Sequence, residues 1–483
     1  MESALLIIQS LADFMWNYPM PILLVGTGIY LSMSFRFFYQ LKTKFMLQNT
    51  YGTIIKKNQK GGEGTVSSFA AACTAMANTV GVGSIGGVAT AITMGGPGAI
   101  FWLWFSAFFG ISTKAAEIIL GQRYRVKYKN CRDEYVCDRS FVMKNAMGWK
   151  TGGLILALCC FTLGPWTCLV QAEALTSSLK EAFHINPTVS LLVMSVTVGI
   201  TIVGGLRSMS KILSKVVPAY AMAYILGAIV LVALNIEKVP ATFALIFEHA
   251  FTPMSGVGGF AGATVMQAIR FGIARGIYSN DAGTGYGMVA HAGAMTDHPI
   301  RQSSWGFGEV FLTSVICTLT ALTILVTNVY IDFPDITSGQ LVTVAYRTVF
   351  GEPGSAFLAV AITLFAWATT VGMYYSCEKA VNYFFGDSKS TRIVTYTYMV
   401  YYILPILFFS NMQADLLWAA TDLLSAIYVL ITLTLIYGKK REIFRLFNDF
   451  WDRFIPAINR GEIPEPVAFE TIESETETCN VKS

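Results

Sequence analysis

Apolar stretches of roughly 20 residues recur along this chain from about residue 11 to residue 437, and no other feature constrains its fold as strongly. Each is long enough to cross the ~30 Å hydrocarbon core of a bilayer as a helix, and too little sequence separates them to build a soluble catalytic domain. The balance of residues agrees: 54% are hydrophobic and only 13% charged, where a soluble domain carries about 25% charged residues. The chain reads as an all-α polytopic membrane protein. Helices are expected near residues 11–34, 67–94, 98–120, 151–179, 188–204, 213–234, 258–294, 303–328, 354–385, 391–409 and 412–437, eleven transmembrane helices in all. The first follows an acidic start (Glu2, Asp13). It lacks the basic flank and small-residue cleavage site of a signal peptide, and is therefore read as a membrane helix.

Basic residues orient such a chain. The segments 36–60, 114–150, 207–215, 379–392 and 438–483, with Arg301, hold nearly all of the 34 lysines and arginines. The opposite loops hold only Lys180, Lys238 and Arg347, and Arg270 and Arg275 lie inside the apolar segment 258–294. This predicts an N-terminus outside and a C-terminus in the cytoplasm, in a cell inner (plasma) membrane. The net charge of +4 is explained by that one-sided placement, so no nucleic-acid partner is inferred, and no obligate protein partner either. The nine cysteines are scattered, and Cys131 and Cys137 are too far apart for a CxxC pair. Neither a transition-metal site nor a disulfide framework is expected, nor any organic cofactor. The acidic, proline-bearing tail from Gly461 on is expected to be partly disordered.

With the leading helix set apart, the other ten divide into two groups of five. The expected organisation is a leading helix and linker (1–62), a first five-helix repeat (63–235), a second (236–437) and a cytoplasmic tail (438–483). An odd number of spans per group inserts the second upside down relative to the first. The first helix of each group is interrupted by glycine, by NTVGVGSIGG at residues 78–87 and by FGIARGIYSNDAGTGYG at residues 271–287. Each interior glycine weakens a helix by roughly 1 kcal/mol relative to alanine, and unwound backbone at bilayer depth leaves polar groups unpaired at several kcal/mol each. Ligands can satisfy them: half-helix N-termini suit a carboxylate, and free carbonyls suit an ammonium group or a sodium ion. Matched interrupted helices in inverted repeats point to the central site of a secondary transporter. Close helix packing through small residues is the plainer account of either segment alone. It weakens for both together, because the second also carries Arg275, Asn280 and Asp281, and charges inside a membrane are costly. An internal Arg275–Asp281 pair holding the break together is the expected arrangement there.

TVGVGSIGGVATAITMGGPGAIFWLWFSAFFG, RGIYSNDAG, HAGAMTDHPIRQ and LFAWATTVG resemble the signatures of the alanine/glycine:cation symporters, in order and over nearly the whole chain. The resemblance implies eleven helices with a ten-helix core like that of the bacterial leucine transporter, and sodium-driven uptake of a small neutral amino acid, with sodium as the co-transported cation. It places the substrate carboxylate at Val82 and Gly83 and the ammonium at Thr79. Gln171, Phe271, Gly272, Gly276 and Ile277 would complete the pocket, with Trp367 as a wall. Sodium would lie among Ala77, Val80, Ala366, Thr369 and Thr370, although threonines in a membrane helix also commonly bond back to the preceding turn. Departures from the family pattern are Val82 for threonine, Ser84 for asparagine, Met373 for tryptophan and Glu173 for asparagine. Glu173 keeps a proton-coupled symporter open as an alternative, though it points about 200° round the helix from Gln171. An integral membrane enzyme is a remote alternative, because His184, His249, His291 and His298 are dispersed; only His291, Asp297 and His298 fall together, at a helix end. A channel would need a ring of charges or a filter repeat, and none is visible.

Overall fold

In the computed structural model the described residues are 2–55, 62–253, 264–334, 336, 338–408, 414–462 and 464; the acidic tail therefore lies almost wholly outside them. They form helices joined by short turns, with two small two-stranded sheets. Six helices are long and apolar enough to cross a membrane, or seven when Ser68–Thr79 and Val82–Gly95, bent by 61°, are taken as one span. Several of the other expected spans appear as shorter pieces. Tyr18 and Pro19 divide the first into Glu2–Asn17 and Pro19–Ser34, and Pro187–Ile202 and Val265–Asn280 have only 16 residues each.

Outward faces carry the membrane signature. On Pro187–Ile202, Leu192, Val193, Val196 and Ile200 are exposed while Leu191, Met194 and Val198 are buried. Gly205–Leu234 likewise turns Met222, Leu226, Ile229 and Val230 outward and buries Tyr220 and Tyr224. Both faces are apolar, which suits lipid outside and protein inside.

Local chemistry sets the helix ends. The Ser67 hydroxyl accepts from Ala70 N at 3.2 Å to start Ser68–Thr79, and Thr264 and Gln267 form a capping box at the start of Val265–Asn280. Helices Val239–His249 and Ser338–Phe350 occupy segments that the sequence reading left as loops. The latter packs against Gly86–Gly95 and Glu352–Phe385, burying Leu341, Val342, Ala345 and Tyr346.

At one end of the bundle the chain is tied shut. Val66 and Ser67 pair in parallel with Ala294 and Met295, joining the start of the first interrupted helix to the end of the second. Arg125 donates to Ala292 O (3.1 Å), Ala294 O (2.9 Å) and Glu63 O (2.8 Å) across that junction. Nearby, buried Lys379–Glu134 and Arg132–Glu378 pairs (2.9 and 2.8 Å) fasten the hairpin of Val126–Tyr128 and Glu134–Val136 to the long helix Glu352–Phe385.

Candidate functional site

Both interrupted segments break where glycine permits. Ser68–Thr79 ends at Val80, Gly81 is extended, Val82–Ser84 make one 3-10 turn, and a second helix runs Gly86–Gly95. A Cβ on Gly81 would lie 2.5 Å from Thr369 Oγ1, and one on Gly83 would lie 2.8 Å from the Tyr278 ring, so close approach requires glycine at both. The freed carbonyls are taken by hydroxyls. Tyr220 OH donates to Val80 O at 3.2 Å, Ser84 Oγ to Thr79 O at 3.4 Å and Thr320 Oγ1 to Ser84 O at 3.2 Å.

The second break comes at the end of Val265–Asn280. Asp281 (φ 51°), Gly283 (φ 100°) and Gly285 (φ 86°) turn the chain through the left-handed region before Tyr286–Ala292 resumes. Ionisable side chains hold this turn. Lys114 Nζ donates to Asp281 O and to Asp281 Oδ2, both at 3.0 Å, Gly283 N donates to Glu117 Oε1 at 2.5 Å, and Arg139 donates to Thr284 O. The Asp281 carboxylate therefore pairs with Lys114, not with Arg275 as the sequence suggested. Arg275 instead shares a cavity with Asp422, Asp13 and Arg270, and its stem passes Gly87.

Between the breaks lies a cavity of about 710 Å³. Of the residues expected to bind substrate, Thr79, Gly83, Gln171 and Ile277 line it, as do Thr369 and Met373. Val82 and Phe271 instead line a larger outer cavity of about 1940 Å³ with Glu173, Arg275 and Asp422. Gly272 and Gly276 face the helix Ala99–Arg123: their Cβ atoms would lie 2.2 Å from Ala99 O and from Ser106 Oγ. Trp367 is half-buried and lines neither cavity. Ala77, Val80, Ala366 and Thr370 are fully buried beside the first break. Thr369 Oγ1 donates to Phe365 O at 3.0 Å and Thr370 Oγ1 to Ala366 O at 2.9 Å. Each hydroxyl spends its proton on the preceding turn and keeps its lone pairs for another partner.

The sequence reading missed Asn78 as a cavity residue, and missed the buried ionisable residues Lys114, Glu117 and Glu309. A signal existed, since all three stand inside apolar runs. Among the described residues, Asn78 Oδ1 and Gln171 Oε1 are buried at the cavity without a hydrogen-bond partner. Two orphan acceptors facing one space call for N–H donors. No group of His, Cys, Asp and Glu suited to a metal ion is found among the described residues.

Paired interrupted helices bordering one central cavity, with a larger cavity beside it, are the arrangement of a transporter rather than an enzyme. The structure of MhsT in complex with L-phenylalanine shares the fold, with a TM-score of 0.55 at 16% identity over 85% of this chain and 95% of that one. A Na+-coupled sialic acid symporter follows at 0.51 and 13%, over 90% and 86%. The chain belongs to the sodium:alanine symporter family, whose model matches residues 1–458. Similar proteins include the uncharacterized transporter YflA of Bacillus subtilis (33% identical over 93% of this chain and 94% of the relative) and the sodium/alanine symporter AgcS of Methanococcus maripaludis (32%, over 92% and 97%). The probable sodium/glutamine symporter GlnT of Bacillus subtilis is 30% identical, over 91% and 89%.

Proposed function

We propose that this protein is a sodium-coupled symporter that takes up a small neutral amino acid, alanine or glycine, across the cell inner membrane. The observation that carries this reading is the central cavity: both breaks border it, and the orphan oxygens of Asn78 and Gln171 offer acceptors suited to an ammonium group. Thr79, Val82 and Gly83 from the first break, Gln171, and Phe271 and Ile277 from the second are the proposed substrate set, with Trp367 behind; Gly272 and Gly276 serve it by letting their helix close on Ala99–Arg123. Thr79, Gly83, Gln171 and Ile277 are its inner members. Sodium is assigned to the carbonyls of Ala77, Val80 and Ala366 with the hydroxyls of Thr369 and Thr370, because oxygens of neutral groups crowd there and no titration is needed to bind a hard cation.

The proposed topology is eleven spans, the leading helix followed by inverted repeats at 63–235 and 236–437, with the N-terminus outside and the cytoplasmic face at the tied end. In that frame the larger cavity is a vestibule that faces outward. A proton-coupled reading has one observation behind it, the half-buried Glu173 on the outer cavity, but that carboxylate lines the vestibule and not the central cavity. Purified protein in liposomes, with the sodium gradient, the pH gradient and the amino acid varied separately, decides the matter. Alanine or glycine uptake driven by sodium at equal pH is expected. Uptake driven by a pH gradient alone would overturn sodium coupling, and better competition by leucine or phenylalanine would overturn the substrate class.

A further inference from the structure

Behind the second break lies a polar cluster of which only Asp281 reaches the central cavity. Lys114, Glu117, Glu309 and His291 are all fully buried, and Asp281 nearly so. His291 Nε2 lies 2.5 Å from Glu309 Oε1 and its Nδ1 lies 2.7 Å from Gln302 Nε2. The outer bonds fix the direction of this chain. Trp305 Nε1 can only donate, and it donates to Ser68 Oγ (2.9 Å); Ser68 Oγ then donates to Gln302 Oε1 (2.5 Å). With the amide so placed, Gln302 Nε2 donates to His291 Nδ1 and His291 Nε2–H donates to Glu309 Oε1. Both ring nitrogens of His291 are thereby engaged away from Glu117.

The charges then fail to balance. Lys114 lies 3.0 Å from Asp281 Oδ2 and 3.6 Å from Glu309 Oε2, so one ammonium already serves two carboxylates. Glu117 has no cation within 4.0 Å among the described residues: Lys114, on the same helix, acts on it only from further off, and besides the Gly283 N–H on Oε1 it faces the Gly285 N–H, while Oε2 has no well-formed hydrogen bond there. The neighbouring elements do not correct this. Arg139 lies over the rings of Tyr428 (4.0 Å) and Tyr286 (4.8 Å) and donates to Thr284 O, while Asp138 beside it caps its own helix by accepting from Phe141 N at 3.0 Å. Beyond Glu309 stand Tyr51 and Cys73, which add no positive charge. An ionised carboxylate without a cation in such a place costs several kcal/mol, and protonation removes that cost.

We propose that Glu117 is a proton-binding site: its carboxylate takes one proton from water onto Oε2 and holds it, as a neutral acid, against the second break while the tied end is closed. Because Glu117 Oε1 holds Gly283 N, any movement of the break alters what that proton sees, and transport becomes linked to proton activity at fixed sodium. This link rests on the symporter reading; the presence of the proton does not.

Infrared difference spectroscopy of the purified parent protein tests the site without any substrate. A carbonyl stretch from a protonated buried acid, shifting in D2O, is expected at neutral pH, with one component lost in Glu117→Gln and kept in Glu309→Gln and Glu173→Gln. A parent spectrum with no such band, or a band lost in Glu309→Gln and kept in Glu117→Gln, overturns the proposal. Should Glu117→Gln fail to fold, Glu309→Gln and Asp281→Asn read the same way assign the band by elimination, and loss of the whole band in either overturns the proposal. In liposomes at fixed sodium, parent uptake should change severalfold across the neutral pH range and Glu117→Gln should be flat. An unchanged pH profile in that variant overturns the link, and absence of all amino-acid uptake with the infrared band intact fails only the symporter reading.

Discussion

The two breaks solve the same problem with different chemistry. Around Gly81 the exposed carbonyls are met by neutral hydroxyls from Tyr220, Ser84 and Thr320, bonds worth about 0.5–1.5 kcal/mol each. Around Asp281 to Gly285 the backbone is met by Lys114 and Arg139, whose charge-assisted bonds are roughly twice as strong, and by the Glu117 carboxyl group. The first break is therefore the more lightly held of the two, and the second is clamped.

Removing a clamp is the sharpest way to break this contrast. Lys114→Met leaves Asp281 and Glu309 without their shared cation, and stranding one side of a buried ion pair costs about 3–5 kcal/mol. A large drop in the thermal midpoint of purified protein is expected. Lys114→Met combined with Asp281→Asn should recover part of it, because the double variant removes both members of the 3.0 Å pair. A single-variant cost no greater than that of losing a hydroxyl at the first break would mean that the clamp is not one.

The next effect separates two glycines that look alike in sequence. Gly83→Ala should push on the Tyr278 ring, 2.8 Å from the new carbon, and so weaken amino-acid binding by about tenfold or more while the protein stays folded. Gly276→Ala would meet Ser106 Oγ at 2.2 Å; it should lower stability through lost helix packing before it alters affinity. Equilibrium binding and thermal melting of both variants check the split. Equal effects of both on binding would place Gly276 at the substrate and remove the distinction.

Such pairs mark how far the sequence could be read. Glycine spacing located the first interruption because only residues with no Cβ fit where backbone meets Thr369 or Tyr278, and the second because Gly283 and Gly285 take positive φ. It could not tell an unwound turn from a close helix crossing, since Gly272 and Gly276 lie on intact helix and admit the backbone or side chains of Ala99 and Ser106. Lys114 was counted with the basic loops because a charge tally sees position near a helix end and not depth. Its burial depends on Asp281 and Glu309, far along the chain. The helix Ser338–Phe350 is not legible as a span because it has only 13 residues, although its buried set Leu341, Val342, Ala345 and Tyr346 follows a helical period.

Sodium coupling supplies a middle-sized effect. Thr369→Val keeps the volume but replaces an oxygen that stands against Gly81 with a methyl group, and should raise the sodium half-saturation of uptake about tenfold with little change in folding. Glu173→Gln, altering a group on the vestibule, should keep sodium-driven uptake within severalfold of the parent at fixed pH. If Thr369→Val left the sodium dependence unchanged while Glu173→Gln abolished concentrative uptake yet spared alanine binding, the coupling ion would be a proton at the vestibule.

The smallest effect falls on the first break itself. Tyr220 OH is buried and donates to Val80 O at 3.2 Å, so Tyr220→Phe removes one neutral hydrogen bond and leaves the carbonyl short of a partner, at a cost of about 0.5–1.5 kcal/mol. A carbonyl oxygen carries two lone pairs, so a sodium ion at Val80 and the Tyr220 hydroxyl need not exclude one another. The ion gains nothing large from losing the hydroxyl, and the sodium half-saturation should move by no more than about twofold, less than 1 kcal/mol. The thermal midpoint should fall slightly in sodium-free buffer, and added sodium should recover it, since a ligand that binds only the folded form stabilises it by mass action. A fall as deep as that of Lys114→Met, or one that sodium does not recover, would show that this hydroxyl clamps its break as firmly as the charges clamp the other.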